Sequence, residues 1–135
     1  MRIIITGIAG FIGYHLAKRC LKDKYEILGI DNINNYYDVN LKKARIKDLE
    51  FISKLINARF EFHQENIENF EKIGDMFRTF KPDCVIHLAG QAGVRYSIEN
   101  PMAYISSNLV GFSNIIEISN HSKVNNFIYA SSSSV

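Results

Sequence analysis

Three glycines spaced three apart, Gly7, Gly10 and Gly13, stand between a β-forming run, Arg2-Ile3-Ile4-Ile5, and a segment with helical apolar spacing. Such a turn can hold a phosphate group. Gly7 permits a sharp turn off a strand, Gly10 has no Cβ to keep an anion from the main chain, and Gly13 permits close helix–strand packing. The free N–H groups at the helix start, about Phe11 and Ile12, then face the anion together with the positive end of the helix dipole. The spacing is Gly-x-x-Gly-x-x-Gly and not Gly-x-Gly-x-x-Gly, so an ordinary glycine-rich turn is the competing reading. No Gly-Lys-Ser/Thr follows, which excludes a P-loop. Asp31 comes 18 residues after Gly13, where a second β-forming run ends. At that distance its carboxylate can accept from both ribose hydroxyls of an adenosine, each hydrogen bond worth about 1.5–3 kcal/mol. It also repels a 2′-phosphate, and no arginine follows directly to neutralise one, so the pattern favours NAD over NADP. A turn or cap role within Asp31-Asn32-Ile33-Asn34-Asn35 is the alternative for this residue.

Positioning these groups requires alternating strands and helices. Arg2–Thr6 reads as a strand, and Phe11–Lys22 as a helix with Ile12, Leu16, Ala17 and Cys20 or Leu21 on one face. Residues 25–30 read as a second strand, followed by a polar loop carrying Tyr36-Tyr37. The next helix, over 41–56, is expected to bury Leu41, Ala44, Leu49, Ile52 and Leu55. Its Lys42, Lys43, Arg45 and Lys47 are expected on a solvated face rather than in a binding patch. Residues 59–63 alternate as a third strand, ended by Glu65-Asn66-Ile67, and a helix over 69–80 stops before Pro82. Residues 84–88 form an apolar strand interrupted by His87. The small run Ala89-Gly90-Gln91-Ala92-Gly93 then lets a backbone approach a ligand. Asn100-Pro101 joins an N-cap residue to a proline at the first helical position. That helix, reaching about Asn120, is apolar on more than one side and is expected to pack against the sheet and something else. A fifth strand over 127–130 leads into Ser131-Ser132-Ser133-Ser134-Val135.

This alternation predicts an α/β fold, a Rossmann-type doubly wound parallel sheet cut short after about its fifth strand. Ligands of such sheets bind at the carboxyl ends of the strands, near the switch point. The glycine turn, Asp31, Asn66, residues 90–97 and the serines all fall at such ends.

The 135 residues suffice for one domain, and 47% hydrophobic and 22% charged residues fit a soluble globular protein. A net charge of +2 with scattered Lys and Arg makes no case for nucleic acid or an anionic membrane. Apolar runs are far shorter than a membrane span, and a cytoplasmic location is expected. Cys20 and Cys84 read as reduced core residues rather than a disulfide or a metal site. His15 and His121 on helices and His63 and His87 on strands show no metal-ligand spacing, so no metal is expected.

Five stretches carry a resemblance across the whole chain. They are Thr6-Gly7-x-x-Gly10-Phe11-Ile12-Gly13, Asp31-Asn32, His87-Leu88-Ala89-Gly90, Asn100-Pro101 with Asn108 downstream, and the serine-rich strand end. The sequence resembles the extended short-chain dehydrogenase/reductases that act on nucleotide sugars. Within them it looks most like bacterial UDP-glucuronate 4-epimerases, through Asp31-Asn32-Ile33-Asn34-Asn35-Tyr36-Tyr37-Asp38-Val39 and Gln91-Ala92-Gly93-Val94-Arg95-Tyr96-Ser97. The resemblance implies a tightly bound NAD that takes a hydride from C4 of the sugar and returns it to the other face of a 4-keto intermediate. A tyrosine with a nearby lysine takes the hydroxyl proton, and a serine or threonine bonds the same oxygen. Carried over, Gly7, Gly10, Phe11, Ile12 and Gly13 hold the pyrophosphate. Asp31, Asn32 and Asn35 hold the adenosine ribose side, and Asn66 and Ile67 meet adenine. Leu88, Ala89 and Gly90 line the cofactor, and Ser132 is the catalytic hydroxyl. Ser133, Ser134, Arg95 and Ser97 lie near the sugar, and Asn108 lies below the active site. A homodimer is the family's usual assembly.

Two departures stand out. Position 66, usually aspartate, is Asn66, whose amide oxygen still accepts from an adenine amino group without charge assistance. The family's Tyr-x-x-x-Lys is expected beyond the serines, past Val135, together with the C-terminal substrate-binding part. Tyr104 and Tyr129 are not followed by lysine four residues on. Residues 1–135 are therefore expected to be an incomplete NAD-binding Rossmann domain, inactive alone. Galactose-type 4-epimerases, 4,6-dehydratases and uronate decarboxylases are the alternatives within the family. A dehydratase would show an Asp-Glu pair where this chain has Ser133-Ser134. A non-catalytic nucleotide-binding fragment is the alternative outside it. For Arg95, a fork for a sugar carboxylate or phosphate stands beside a loop-stabilising role. For Ser132, the competing role is a strand-end hydroxyl bonding local backbone.

Overall fold

The computed structural model describes residues 1–132. Five parallel strands, β1 (Arg2–Thr6), β2 (Glu26–Asp31), β3 (Phe60–Gln64), β4 (Cys84–His87) and β5 (Asn126–Tyr129), lie in the order β3-β2-β1-β4-β5. The chain works outward from β1 to β3 on one side, then returns to place β4 on the other edge of β1. The switch point therefore lies between the carboxyl ends of β1 and β4, where Thr6 is in register with His87.

Alternation along β1 builds two cores. Ile3 and Ile5 face one side, with Ala17, Cys20 and Leu21 of α1 (Phe11–Lys22) and Ile46 and Leu49 of α2 (Val39–Leu55). Ile4 faces the other, with Ile73, Phe77 and Phe80 of α3 (Phe70–Phe80) and Ile115 and Ile118 of α6 (Phe112–His121). Helices thus cover both faces, as a doubly wound parallel sheet demands. Asn69 caps α3, its side chain accepting from the Lys72 amide at 3.3 Å. Cys20 and Cys84 are free and buried, and burial pushes both thiols up, which leaves them unreactive.

Three expectations about helices are corrected. Ile12 is 64% exposed rather than part of the buried face of α1, because the buried row runs through Gly13, Ala17, Cys20 and Leu21 and Ile12 falls beside it. In α2 the buried row is Lys42, Ile46, Leu49 and Ser53; Leu41, Ala44 and Leu55 face out, and Ile52 is half-buried. The small Ser53 and the lysine stem allow this row to approach the rest of the fold. Residues 94–99, to which the sequence reading gives no element, form a short helix, α4 (Val94–Glu99). The helix opened by Asn100-Pro101 is interrupted: α5 (Pro101–Tyr104) passes into a π-helical stretch, Ile105–Gly111, before α6. Ile105, Leu109, Val110 and Ile116 on its outer side remain exposed, so the second partner expected for that side is not among the described residues.

Candidate active site

The glycine turn folds onto the ends of both neighbouring strands. Gly7 has φ +69, and a Cβ there would come within 2.7 Å of the Ala89 nitrogen and 2.8 Å of the Leu88 carbonyl carbon. A side chain would therefore both strain the turn and push β4 away. A Cβ on Gly13 would come within 2.8 Å of the Ile8 Cα, so helix and turn touch there. Gly10 differs, since a Cβ would meet only the Gly7 oxygen, at 3.1 Å, and Gly10 lines an open cleft.

That cleft runs along the switch point. Of the residues singled out for the cofactor, Gly7, Gly10, Asp31, Asn32, Ile67, Leu88, Ala89 and Gly90 line it together. Phe11 and Ile12 are exposed at the start of α1, and Gly13 is buried beneath the turn. Asn35 and Asn66 are exposed and do not line the cleft.

Asp31 is buried at the end of β2. Its Oδ2 accepts from the Ala9 amide at 3.0 Å and its Oδ1 from the Ile33 amide at 2.9 Å. The carboxylate thus ties the glycine turn to the loop after β2, and each oxygen keeps a further lone pair for a ligand in the cleft. Across the switch point, Thr6 Oγ1 accepts from the Leu88 and Ala89 amides at 3.2 and 3.1 Å. Its own proton then goes to His87 Nδ1, 2.7 Å away, which assigns the imidazole proton to Nε2. Burial lowers the pKa of His87 to about 4, so the ring is neutral at pH 7.

A second cleft shares Leu88, Ala89, Gly90 and Gln91 with the first and is bounded by His87, Asn108 and Ser132. Asn108 lies in the π-helical stretch and faces the shared loop. Its Oδ1 accepts from the Gln91 amide at 2.7 Å and its Nδ2 donates to the Gln91 carbonyl at 2.9 Å. Arg95 and Ser97 are on α4 and line neither cleft. Arg95 is exposed, and Ser97 Oγ donates to the Val94 carbonyl at 2.6 Å. Ser133 and Ser134 lie outside the described residues.

Residues in and around the cleft escaped the sequence reading. Lys42, expected in solvent, is 7% exposed, lines the cleft, and donates to the carbonyl and Oδ1 of Asn34 at 3.0 and 2.8 Å. Arg45, on the same side of α2, donates to the Ala9 carbonyl at 3.0 Å and so braces the glycine turn. A periodic apolar stripe was the wrong signal here, because the row that faces the turn is partly cationic. Asn114 donates to the Ile67 and Glu68 carbonyls at 3.1 and 3.0 Å, holding the β3–α3 loop against the cleft. A Tyr-x-x-x-Lys pattern does occur, at Tyr14 and Lys18 of α1. The Tyr14 hydroxyl donates to Asp48 at 2.6 Å, and Lys18 donates to both, at 3.2 Å to Tyr14 and 3.0 Å to Asp48. This cluster joins α1 to α2 and lines neither cleft. Tyr14 and Lys18 therefore serve as a structural link between the two helices and are not placed to act in either cleft. Among the described residues, no group of His, Cys, Asp and Glu could hold a metal ion, and no helix is long and apolar enough to cross a membrane.

Comparison with known proteins gives the following. The family model described as GDP-mannose 4,6 dehydratase matches residues 4–135. Protein CapI of Staphylococcus aureus is 50% identical over 100% of this chain and 39% of its own length. A UDP-glucuronate 4-epimerase of Thermodesulfobacterium geofontis is 40% identical over 98% of this chain and 39% of its own. The crystal structure of Thermus thermophilus UDP-glucose 4-epimerase in complex with NAD superposes with a TM-score of 0.77 at 30% identity, covering 98% of this chain and 38% of that one. The chain thus spans about two fifths of the length of each of these three proteins.

Proposed function

Because the chain belongs to the GDP-mannose 4,6 dehydratase family, we propose that it forms the NAD-binding part of a nucleotide-sugar 4-epimerase acting on UDP-glucuronate. The observation that carries the cofactor reading is the cleft itself. A buried carboxylate with free lone pairs stands at one end, and a glycine whose Cβ position is open stands at the start of a helix. An adenine dinucleotide fits that donor set. Asp31 takes the ribose hydroxyls, Gly10 and the first amides of α1 face the pyrophosphate, and Ile67 supplies an apolar wall for adenine. Leu88, Ala89 and Gly90, held by Thr6, floor the cleft between the dinucleotide and Ser132. Bound NAD supplies the hydride acceptor and donor for the sugar C4. The chain's own contribution to chemistry is the Ser132 hydroxyl, which bonds the sugar oxygen that exchanges its proton.

The substrate assignment draws on the similarity to UDP-glucuronate 4-epimerases and on the two stretches at 31–39 and 91–97. In this reading Arg95 takes the sugar carboxylate, with Ser97, Ser133 and Ser134 nearby. The longer protein works in the cytoplasm as a homodimer, and the exposed Ile105, Leu109 and Ile116 are apolar surface such an assembly would cover.

Calorimetry tests the cofactor site. Asp31→Asn keeps one acceptor for the local amides but removes the charge, and NAD affinity is expected to fall at least 10-fold. Unchanged affinity overturns the ribose assignment. The substrate is tested on a chain extended to the length of its relatives. Turnover of UDP-galactose with none of UDP-glucuronate refutes the UDP-glucuronate reading.

A further inference from the structure

The loop after β2 reaches the helix on the far side of the cleft, which no role given so far requires. Asp31 fixes the start of this loop, and Lys42 grips it at Asn34. Its far end carries Tyr36, which lines the cleft. The Tyr36 ring lies 4.7 Å from the Tyr37 ring and 4.9 Å from the ring of Tyr96 on α4. Gly93, just before α4, has φ +98, and any Cβ there would strike the Tyr36 hydroxyl. From the other side the Tyr104 hydroxyl bonds the Ala92 carbonyl at 2.8 Å and the Gly93 carbonyl. The Tyr96 hydroxyl accepts from Asn100 Nδ2 at 3.0 Å, and Asn100 caps α5.

These contacts matter because α4 buries none of its own residues. A helix of six residues with no buried side chain is not held by a core, and its order depends on what touches it. The Tyr36 and Tyr104 rings supply those contacts, and Tyr36 comes from the nucleotide side of the cleft.

We propose that Tyr36 is a positioning residue that ties the adenosine side of the cleft to α4, so that filling that side orders the helix bearing Arg95 and Ser97. The proposal rests on the reading of the cleft as an NAD site. A ligand bonded to Asp31 restrains residues 32–36, and Tyr36 passes that restraint to Gly93 and Tyr96. Sugar-side residues that line neither cleft are thereby brought under control of the cofactor.

Hydrogen exchange on this chain tests it, with AMP as a probe that fills the adenosine side alone. AMP at saturation is expected to slow exchange of the amides at 94–99 at least threefold in the unaltered chain. Tyr96→Ala is expected to lose that protection while still binding AMP by calorimetry, and Tyr36→Ala to lose it at AMP concentrations that saturate the variant. Gly93→Ala keeps every ring but drives a methyl into the Tyr36 hydroxyl, and is expected to behave like Tyr36→Ala. Protection that persists in Tyr36→Ala, or none in the unaltered chain with AMP bound, overturns the proposal and leaves the NAD site standing. If neither AMP nor NAD binds, the cofactor reading falls, and this inference with it.

Discussion

The buried histidine at the switch point makes acid stability a quantitative test of the site. His87 is neutral in the fold, with a pKa of about 4 against 6.5 for an ordinary imidazole. The folded pKa is depressed and the group is a base, so between these two values the unfolded chain binds a proton that the folded chain refuses. Stability from this residue is fully present above pH 6.5 and falls as pH drops towards 4. At 1.36 kcal/mol per pKa unit, the full loss is on the order of 3 kcal/mol, and about 2 kcal/mol of it accrues between pH 7 and 4.5. Asp48, Glu65 and Asp83 have carboxyls held below the usual range by their hydrogen bonds, so they also cost stability in acid. A comparison isolates the histidine. His87→Asn keeps an acceptor for the Thr6 proton but does not titrate. Urea unfolding of both proteins at pH 7 and 4.5 is expected to show the unaltered chain losing about 2 kcal/mol more than the variant. Equal losses refute the assignment of a buried neutral imidazole. Because Thr6 holds the Leu88 and Ala89 amides as well as His87, NAD affinity is expected to fall over the same pH range.

Two further outcomes follow from the geometry. Gly10→Ala places a methyl in the cleft against a single backbone oxygen, so stability by urea unfolding is expected to change by less than about 1 kcal/mol while NAD affinity drops at least 10-fold; a loss of stability without loss of binding contradicts the pyrophosphate position. The exposed row Ile105, Leu109, Val110 and Ile116 predicts concentration-dependent self-association of this chain, and light scattering that reports one monomer mass at all concentrations contradicts it.

Strand and helix order were legible because each strand of the parallel sheet is a short apolar run bounded by turn chemistry. Arg2–Thr6 and Phe11–Lys22 agree with the sequence reading to the residue, and the other strands, α2 and α3 shift by one or two. What was not legible was set by contacts distant in sequence. The buried row of α2 contains Lys42 and Ser53, which no apolar pattern marks, because Lys42 is buried by its bonds to Asn34 and not by burial of apolar surface alone. The helix at 94–99 buries nothing, so it left no periodic signal. The π-helical stretch likewise has no sequence marker, although it puts Asn108 on the Gln91 backbone.

Asp31 shows why two readings of one residue need not compete. The sequence allowed either a ribose-binding carboxylate or a local turn residue. In the fold the turn role is present, since the two oxygens accept backbone amides, one from the glycine turn and one from the loop after β2. That role does not exhaust the carboxylate, because each oxygen has a second lone pair and the group lines the cleft. The two amides also fix the carboxylate's orientation before any ligand arrives, which lowers the ordering cost of binding. The turn contact is therefore the means by which a ribose site is preorganised. It follows that Asp31→Ala should loosen the glycine turn and weaken NAD together, whereas Asp31→Asn should separate the two effects, sparing stability more than binding.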